Sequence, residues 1–136
     1  MRYLGIDFGS KKVGLALSDE SGAMGFPHSV VPNTPDLLTA VLTLIEKEKV
    51  GAVVLGESRD LAGNDNPIAA HAHAFGDGIA RAAAIPVAYE SEVFTSAEAR
   101  RMFEPAEKTR KPQNTDPVDA SAAALILTSY LSRQHV

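Results

Sequence analysis

The chain has 136 residues, with 45% hydrophobic and 22% charged residues, 13 Lys and Arg against 17 Asp and Glu, and no cysteine. This length suits one domain with its own core, and the missing cysteine excludes disulfides, thiolate metal ligands and a thiol nucleophile. No apolar run reaches the roughly 20 residues of a membrane helix, and no secretory signal pattern is present. We therefore expect a single domain over 1–136 in a cytoplasmic protein that does not contact membranes.

The charge is unevenly distributed along the chain. A formal net charge of −4 does not suit nucleic-acid binding by overall charge, for which a pI above about 9 is common. Five basic residues nevertheless fall between positions 100 and 111, against two glutamates. This local positive charge is compatible with a phosphate-binding loop and equally with a solvated surface loop.

The first half of the chain has the pattern of three strands and one helix. The apolar run 3–8 predicts a buried strand, and alternating residues at 13–17 predict its hairpin partner after a turn at 9–12. A third strand is predicted between 23 and 31. The segment 34–36 is a helix start with proline in the first turn, and apolar residues at helical spacing continue to about Lys49.

The second half alternates strands and helices. The run 52–55, stopped by Gly56, predicts a strand buried on both faces. A helix over 67–84, a strand over 85–89, a helix opened by the capping box at 95–98 and a last helix over about 116–132 follow. This order predicts an α/β fold with antiparallel strands first and parallel strands later.

Three acidic residues fall where predicted strands end or the last helix begins: Asp7, Glu92 and Asp119. Ligands of open α/β sheets gather at the carboxyl ends of strands, and converging carboxylates repel one another unless divalent cations bridge them. Mg²⁺ and Mn²⁺ prefer such oxygen ligands and activate water for phosphodiester cleavage. The alternatives are a turn-supporting Asp7, a helix-capping Asp119 and a surface Glu92.

Four segments resemble the YqgF family: LGIDFGSKKVGLALSD (4–19), VVLGESRDLAGNDNP (53–67), EVFTSAEA (92–99) and VDASAAALILTSYL (118–131). Its members are called pre-16S ribosomal RNA nucleases or Holliday junction resolvases. The resemblance implies a ribonuclease H-like fold, with a five-stranded mixed sheet whose first three strands are antiparallel, flanked by helices. It also implies Mg²⁺ or Mn²⁺ bound by Asp7, Glu92 and Asp119.

Two departures from the family pattern affect the predicted site. Ser91 and Val93 replace the aspartate and arginine of the family's D-E-R-L-T-S segment, which removes a possible phosphate contact. Glu57 stands where the family usually has an apolar residue before proline. An acid often binds metal at that strand end in the wider superfamily, so Glu57 is a fourth catalytic candidate; a loop glutamate pairing with Arg59 is the alternative.

Basic residues near these acids are candidates for contacting nucleic acid: Lys11, Lys12, Arg59, Lys108, Arg110 and Lys111. Lys11 and Lys12, at the predicted hairpin tip beside Asp7, are within reach of a phosphate, although exposed turn lysines without a ligand are as common. His71 and His73 are two apart on a predicted helix, so they point to different faces and do not share a metal.

These features predict a hydrolase: a metal-dependent endonuclease acting on structured nucleic acid. We favour 5′-end processing of pre-16S ribosomal RNA over resolution of Holliday junctions in recombination and repair. Resolution needs two coordinated cuts and usually a symmetric dimer, and the sequence leaves monomer and homodimer open. A catalytically weak RNA-binding adaptor is a further alternative. So is ATP binding, because Asp7 to Gly14 resembles the phosphate-binding hairpin of actin-like and sugar-kinase-like ATPases.

Overall fold

The computed structural model describes residues 1–57, 67–91 and 120–134. Their elements are, in chain order, β1 (Arg2–Phe8), β2 (Lys12–Ser18), β3 (Gly25–Pro32), α1 (Leu37–Glu48), β4 (Val50–Glu57), α2 (Pro67–Ala83), β5 (Val87–Ser91) and α3 (Ala120–Gln134). The five strands form one sheet in the order β3-β2-β1-β4-β5. The β1–β2 and β2–β3 pairs are antiparallel, whereas β1–β4 and β4–β5 are parallel. The predicted mixed sheet is confirmed.

Two predicted strand boundaries are wrong. Gly56 does not stop β4, because Gly56 and Glu57 pair with Glu90 and Ser91 of β5. The fifth strand covers 87–91 rather than 85–89, since it starts after Pro86, which has no N–H to donate. The predicted helix at 95–103 and positions 116–119 of the last helix lie outside the described residues.

Helices cover both faces of the sheet. Leu4, Ile6 and Phe8 of β1 belong to a core that includes residues of α1 and α2, whereas Ala16 of β2 packs with residues of α3 on the other face. The middle of β4 is fully buried from both sides, as predicted. No helix within the described ranges is long and apolar enough to cross a bilayer.

Glycines let α3 lie directly on the sheet. A Cβ atom built on Gly5 would lie 2.7 Å from Leu127 Cβ and 3.0 Å from the carbonyl oxygen of Ala123. A Cβ atom on Gly56 would lie 2.6 Å from Ile126 Cδ1. Real Cβ atoms do not approach other atoms so closely, so a larger residue at Gly5 would displace the helix at Leu127, and one at Gly56 would displace at least the Ile126 side chain. The contact between α3 and the sheet therefore depends on these glycines.

The turn between β2 and β3 is held by Asp19. Its carboxylate accepts hydrogen bonds from the Ser21 hydroxyl and from the backbone N–H groups of Ala23 (2.9 Å) and Met24 (3.2 Å). The Ser21 bond first, and then these two backbone bonds, lower the Asp19 pKa from 3.8 to about 2. The ionised form is therefore favoured in the folded state.

We expect the stability contributed by the Asp19 charge to depend on pH. Because the pKa of Asp19 is about 2 in the folded protein and 3.8 for an unperturbed aspartate, this contribution is fully present above about pH 4 and is lost as the pH falls toward 2. The difference in unfolding free energy between the parent and Asp19→Asn should shrink over that window in urea titrations. The variant Asp77→Asn, on the exposed surface of α2, controls for removing one carboxylate. A difference that stays constant down to pH 2 would contradict this account.

The glycine contact gives a second prediction. Gly5→Ala should lower the free energy of unfolding by about 1 to 3 kcal/mol, the usual cost of overpacking, because the new methyl group overlaps α3. Gly78→Ala is the matched control: its Cβ would meet only Leu38 Cδ2 at 3.6 Å and Cδ1 at 3.8 Å. Since alanine is favoured in helices, this change should stabilise by about 0.5 to 1 kcal/mol. Equal stability of Gly5→Ala and the parent in urea titrations would show that α3 does not press on β1.

Candidate active site

Asp7 is a buried carboxylate on the face of the sheet that α3 covers. It is 4% exposed and lies one residue before the end of β1. Tyr3 and Gly5 contact α3: the rings of Tyr3 and Tyr130 are 6.3 Å apart, and Gly5 lies against Leu127. Because side chains alternate along a strand, Asp7 shares this face, whereas Phe8 belongs to the opposite core.

The first turn of α3 lies at the level of Asp7. From Tyr3 to Gly5 along β1, the contacts on α3 move from Tyr130 back to Leu127 and Ala123, so the helix runs against the strand. Two further strand residues span about 6.6 Å, which is about four helical residues. The N-terminal end of α3, at Ala120, therefore stands near Asp7.

Both strands beside Asp7 carry glycine next to it. Gly14 of β2 pairs with Asp7 directly. On the other side, Ile6 pairs with Leu55, so Gly56 follows at the level of Asp7. Neither glycine adds a side chain to this face of the sheet.

The ends of β1, β4 and β5 form one edge of the sheet, which we call the carboxyl edge and which carries Asp7, Glu57 and Ser91. The three strands are parallel, and the backbones of Glu57 and Ser91 are paired. Glu57 thus stands at the edge predicted for it. The next residue after β5 is Glu92, and the residue before α3 is Asp119.

Several predicted site residues lie outside the described residues: Arg59, Glu92, Lys108, Arg110, Lys111 and Asp119. Within residues 1–57, 67–91 and 120–134, no group of three or more His, Cys, Asp or Glu side chains stands close enough to hold a metal ion. Asp7 is the described member of the predicted ligand set. Its carboxylate has the oxygen chemistry that Mg²⁺ and Mn²⁺ take, and the metal site stays a prediction.

Lys11 and Lys12 are exposed at the tip of the β1–β2 hairpin, beside the carboxyl edge. The tip is fixed by backbone bonds from Gly9 N–H to the Lys12 carbonyl (3.0 Å) and from Asn33 N–H to the Lys11 carbonyl (2.9 Å). The Asn33 side-chain amide also donates to the Gly9 carbonyl, at 2.8 Å. These lysines therefore sit on a braced turn next to Asp7, as the sequence predicted.

Sequence reasoning missed an ion pair between the buried Glu90 and the half-exposed Arg133. The Glu90 side chain is 2% exposed and accepts a hydrogen bond from Arg133 Nη2, while its Oε2 is buried without a partner among the described residues. Glu90 pairs with Gly56 and lies two positions before Glu92. The pair joins the end of β5 to α3. In the sequence, Glu92 directly follows β5 and Asp119 directly precedes α3. Had the fifth strand been predicted at 87–91, Glu90 would have indicated an ion pair, because a charged residue inside a buried strand needs a partner.

The two histidines of α2 have separate surroundings. The His73 ring stacks on Tyr89, with centroids 4.3 Å apart and an interplanar angle of 5°. His71 lies exposed beside a surface cavity. The prediction that these histidines face different directions is confirmed.

Comparison with known proteins agrees with this architecture. A protein from Anaeromyxobacter sp. named "Putative pre-16S rRNA nuclease" is 37% identical, covering 99% of this chain and 99% of its own. One of the same name from Pelotomaculum thermopropionicum is 35% identical over 98% of this chain and 88% of its own. The structure of Thermus thermophilus RuvC in complex with a Holliday junction substrate matches with a TM-score of 0.66 and 18% identity, covering 99% of this chain and 96% of that one.

The structural match confirms the ribonuclease H-like fold. The relatives' names agree with the predicted nuclease class. The model of the RuvX family, described as Holliday junction resolvase, matches residues 1–133. Since this match spans nearly the whole sequence, the chain belongs to the RuvX (YqgF) family.

Proposed function

We propose that this protein is a divalent-metal-dependent endonuclease of structured nucleic acid, and that its substrate is the 5′ end of the 16S ribosomal RNA precursor. The relatives named pre-16S rRNA nuclease support this substrate, because their likeness covers almost the full length of both chains. Ribosomal RNA processing would make the protein cytoplasmic. We also propose that residues 1–136 form a single nuclease domain.

One observation carries the proposal: a carboxylate is buried at the carboxyl edge where a second acid ends the neighbouring strand. Asp7 is 4% exposed, and binding a metal ion is one of the ways in which proteins stabilise a buried carboxylate. Glu57 ends the adjacent parallel strand. Glu92 directly follows β5 in the sequence and Asp119 directly precedes α3, so the proposed site would combine four acids.

In this site the acids and the hairpin lysines have separate tasks. Two divalent ions, when bound, activate a water and stabilise the leaving oxygen of the phosphodiester. Asp7, Glu92 and Asp119 would hold them, with Glu57 as a fourth carboxylate. Lys11 and Lys12 would hold the phosphates of the substrate strand, with Arg59, Lys108, Arg110 and Lys111 extending the contact. The Glu90–Arg133 pair would hold β5 and α3 in a fixed position relative to each other.

Resolution of Holliday junctions is the second candidate function. The description of the matching family model supports it. Two symmetric cuts need two active sites, so this activity would require a homodimer, whereas RNA processing is open to a monomer. To separate the two functions, cleavage of a four-way DNA junction and of a precursor RNA fragment is measured with the same protein preparation. Sedimentation of that preparation gives the mass of the protein and hence its oligomeric state. Binding of RNA without cleavage would favour the adaptor, and tight ATP binding without cleavage would favour the ATPase alternative.

Asp7→Asn should abolish Mg²⁺- or Mn²⁺-dependent cleavage while the protein stays folded. Asparagine keeps the size of the side chain but removes the charge that holds the ions, and since loss of an outer-shell group alone costs about 10- to 100-fold, we expect a loss of more than about 100-fold. Cleavage rates should be measured on RNA and on junction DNA, with Asp77→Asn as the matched control. An Asp7→Asn variant as fast as the parent would remove Asp7 from the metal site.

Glu57→Gln should impair cleavage nearly as much as Glu92→Gln. Glu57 ends β4, and Glu92 follows the last residue of the neighbouring strand β5 in the sequence. Both would therefore act at the same ions, and both variants should need more Mn²⁺ for half-maximal rate. Glu46→Gln, on the exposed surface of α1, is the control and should leave rate and Mn²⁺ dependence unchanged. Parental rate and Mn²⁺ dependence in Glu57→Gln would make Glu57 a surface residue and leave Glu92 as the acid of this region.

A further inference from the structure

A surface cavity of about 420 Å³ lies beside the carboxyl edge, and none of the tasks above uses it. Its lining includes Phe8, Ser10, Asn33, Thr34, His71 and Phe75. Phe8 follows Asp7 in β1, but its side chain lies in the opposite core, so the cavity opens on the α1–α2 side of the sheet. The cavity and the carboxylate are thus on two faces of the same strand end.

The lining combines buried aromatic and aliphatic side chains, such as Phe8 and Leu37, with exposed polar ones. The rings of Phe8 and Phe75 are 5.3 Å apart and tilted by 40°, and His71 lies one helical turn before Phe75 with its ring exposed. Ser10 and Thr34, both exposed, bring hydroxyl groups. A nucleobase is complementary to such a lining, because its faces are apolar and its edges form hydrogen bonds. Proteins bind unpaired bases by stacking on the faces and by hydrogen bonds to the edges.

The rim is braced before any ligand arrives. Asn33 donates from its side-chain amide to the Gly9 carbonyl (2.8 Å) and from its backbone to the Lys11 carbonyl (2.9 Å). No hydrogen bond within the described residues uses its Oδ1, so this oxygen can accept one from a base. Preorganisation of this kind lowers the entropy lost on binding.

Among the residues that the structure describes, the lining carries no acidic side chain and no lysine or arginine. A neutral base suits it better than a phosphate, which would meet Lys11 next to Ser10 on the hairpin instead. The volume also lies within the roughly 300 to 1,000 Å³ of small-molecule pockets.

We propose that this cavity binds an unpaired nucleobase of the substrate strand, next to the phosphate that is cut. Adjacent strand residues are 3.8 Å apart at Cα and point to opposite faces. A nucleic-acid strand that crosses the carboxyl edge of the sheet can therefore present its phosphate to Asp7 on one face and turn the neighbouring base toward Phe8 and Phe75 on the other. The inference rests on the proposed nuclease function and narrows its substrate to strands with an unpaired nucleotide beside the cut.

A binding experiment tests the cavity without cleavage. The Asp7→Asn protein is titrated with ribo- and deoxyribo-oligonucleotides that carry one unpaired 2-aminopurine, whose fluorescence falls when it stacks. His71→Ala and Phe75→Leu, added to Asp7→Asn, should weaken the quenched complex about 5- to 100-fold, the range of base–aromatic stacking. His28→Ala, an exposed histidine of β3, is the matched control. Since His71 is exposed, its loss should not unfold the protein, which thermal unfolding checks.

A cleavage experiment tests the link to the reaction. Substrates with a normal or an abasic nucleotide at each position flanking the cut are compared. At one position, the parent should cut the substrate with the normal nucleotide faster than the abasic one. His71→Ala and Phe75→Leu should bring the ratio of these two rates toward one, while they cut the abasic substrate at the parental rate. Quenching that is absent, or equal in every variant, would overturn the proposal, and so would a parent without preference at any position. If the parent cuts nothing, the proposed activity fails, while the fluorescence still decides whether the cavity binds a base.

Discussion

The direct contact of α3 with the sheet is the constraint on which the site depends. Glycines at positions 5 and 56 leave room for Leu127 and Ile126 at distances that no side chain would allow. The helix therefore lies close against β1 and β4, and its first turn reaches the level of Asp7. A helix held one side-chain layer farther out would carry its first residue, Ala120, away from Asp7.

Much of the fold follows from local pattern, but the contacts between elements do not. The apolar run around Asp7 predicted a buried strand that carries an acid near its end, and helical periodicity separated His71 from His73. The role of Gly56 was misjudged because a glycine inside an apolar run looks like a strand end, whereas pairing with Glu90 continues the ladder. Glu90 was missed because the fifth strand was predicted two residues too early, at 85–89 instead of 87–91.

The proposed functional residues are divided between two faces that meet at the end of β1. Asp7 lies on the α3 face with glycine on both neighbouring strands, and Phe8 lines the cavity on the α1–α2 face. The cavity could not be predicted from the sequence, because it joins the end of β1, the turn at Asn33 and α2, which are far apart in the chain. The position of Asp7 near the end of a buried strand could be predicted because an apolar run and a family motif coincide there.

The central claim is that Asp7 holds a catalytic cation. A crystal of the protein soaked in Mn²⁺ tests it directly, because the anomalous signal of manganese locates the ion independently of any substrate. The account predicts an ion about 2.0 to 2.6 Å from an Asp7 carboxylate oxygen, with Glu92 and Asp119 also bound to it or to a second ion nearby, and no ion in crystals of Asp7→Asn. Manganese bound only elsewhere, or the same signal in crystals of Asp7→Asn, would contradict it.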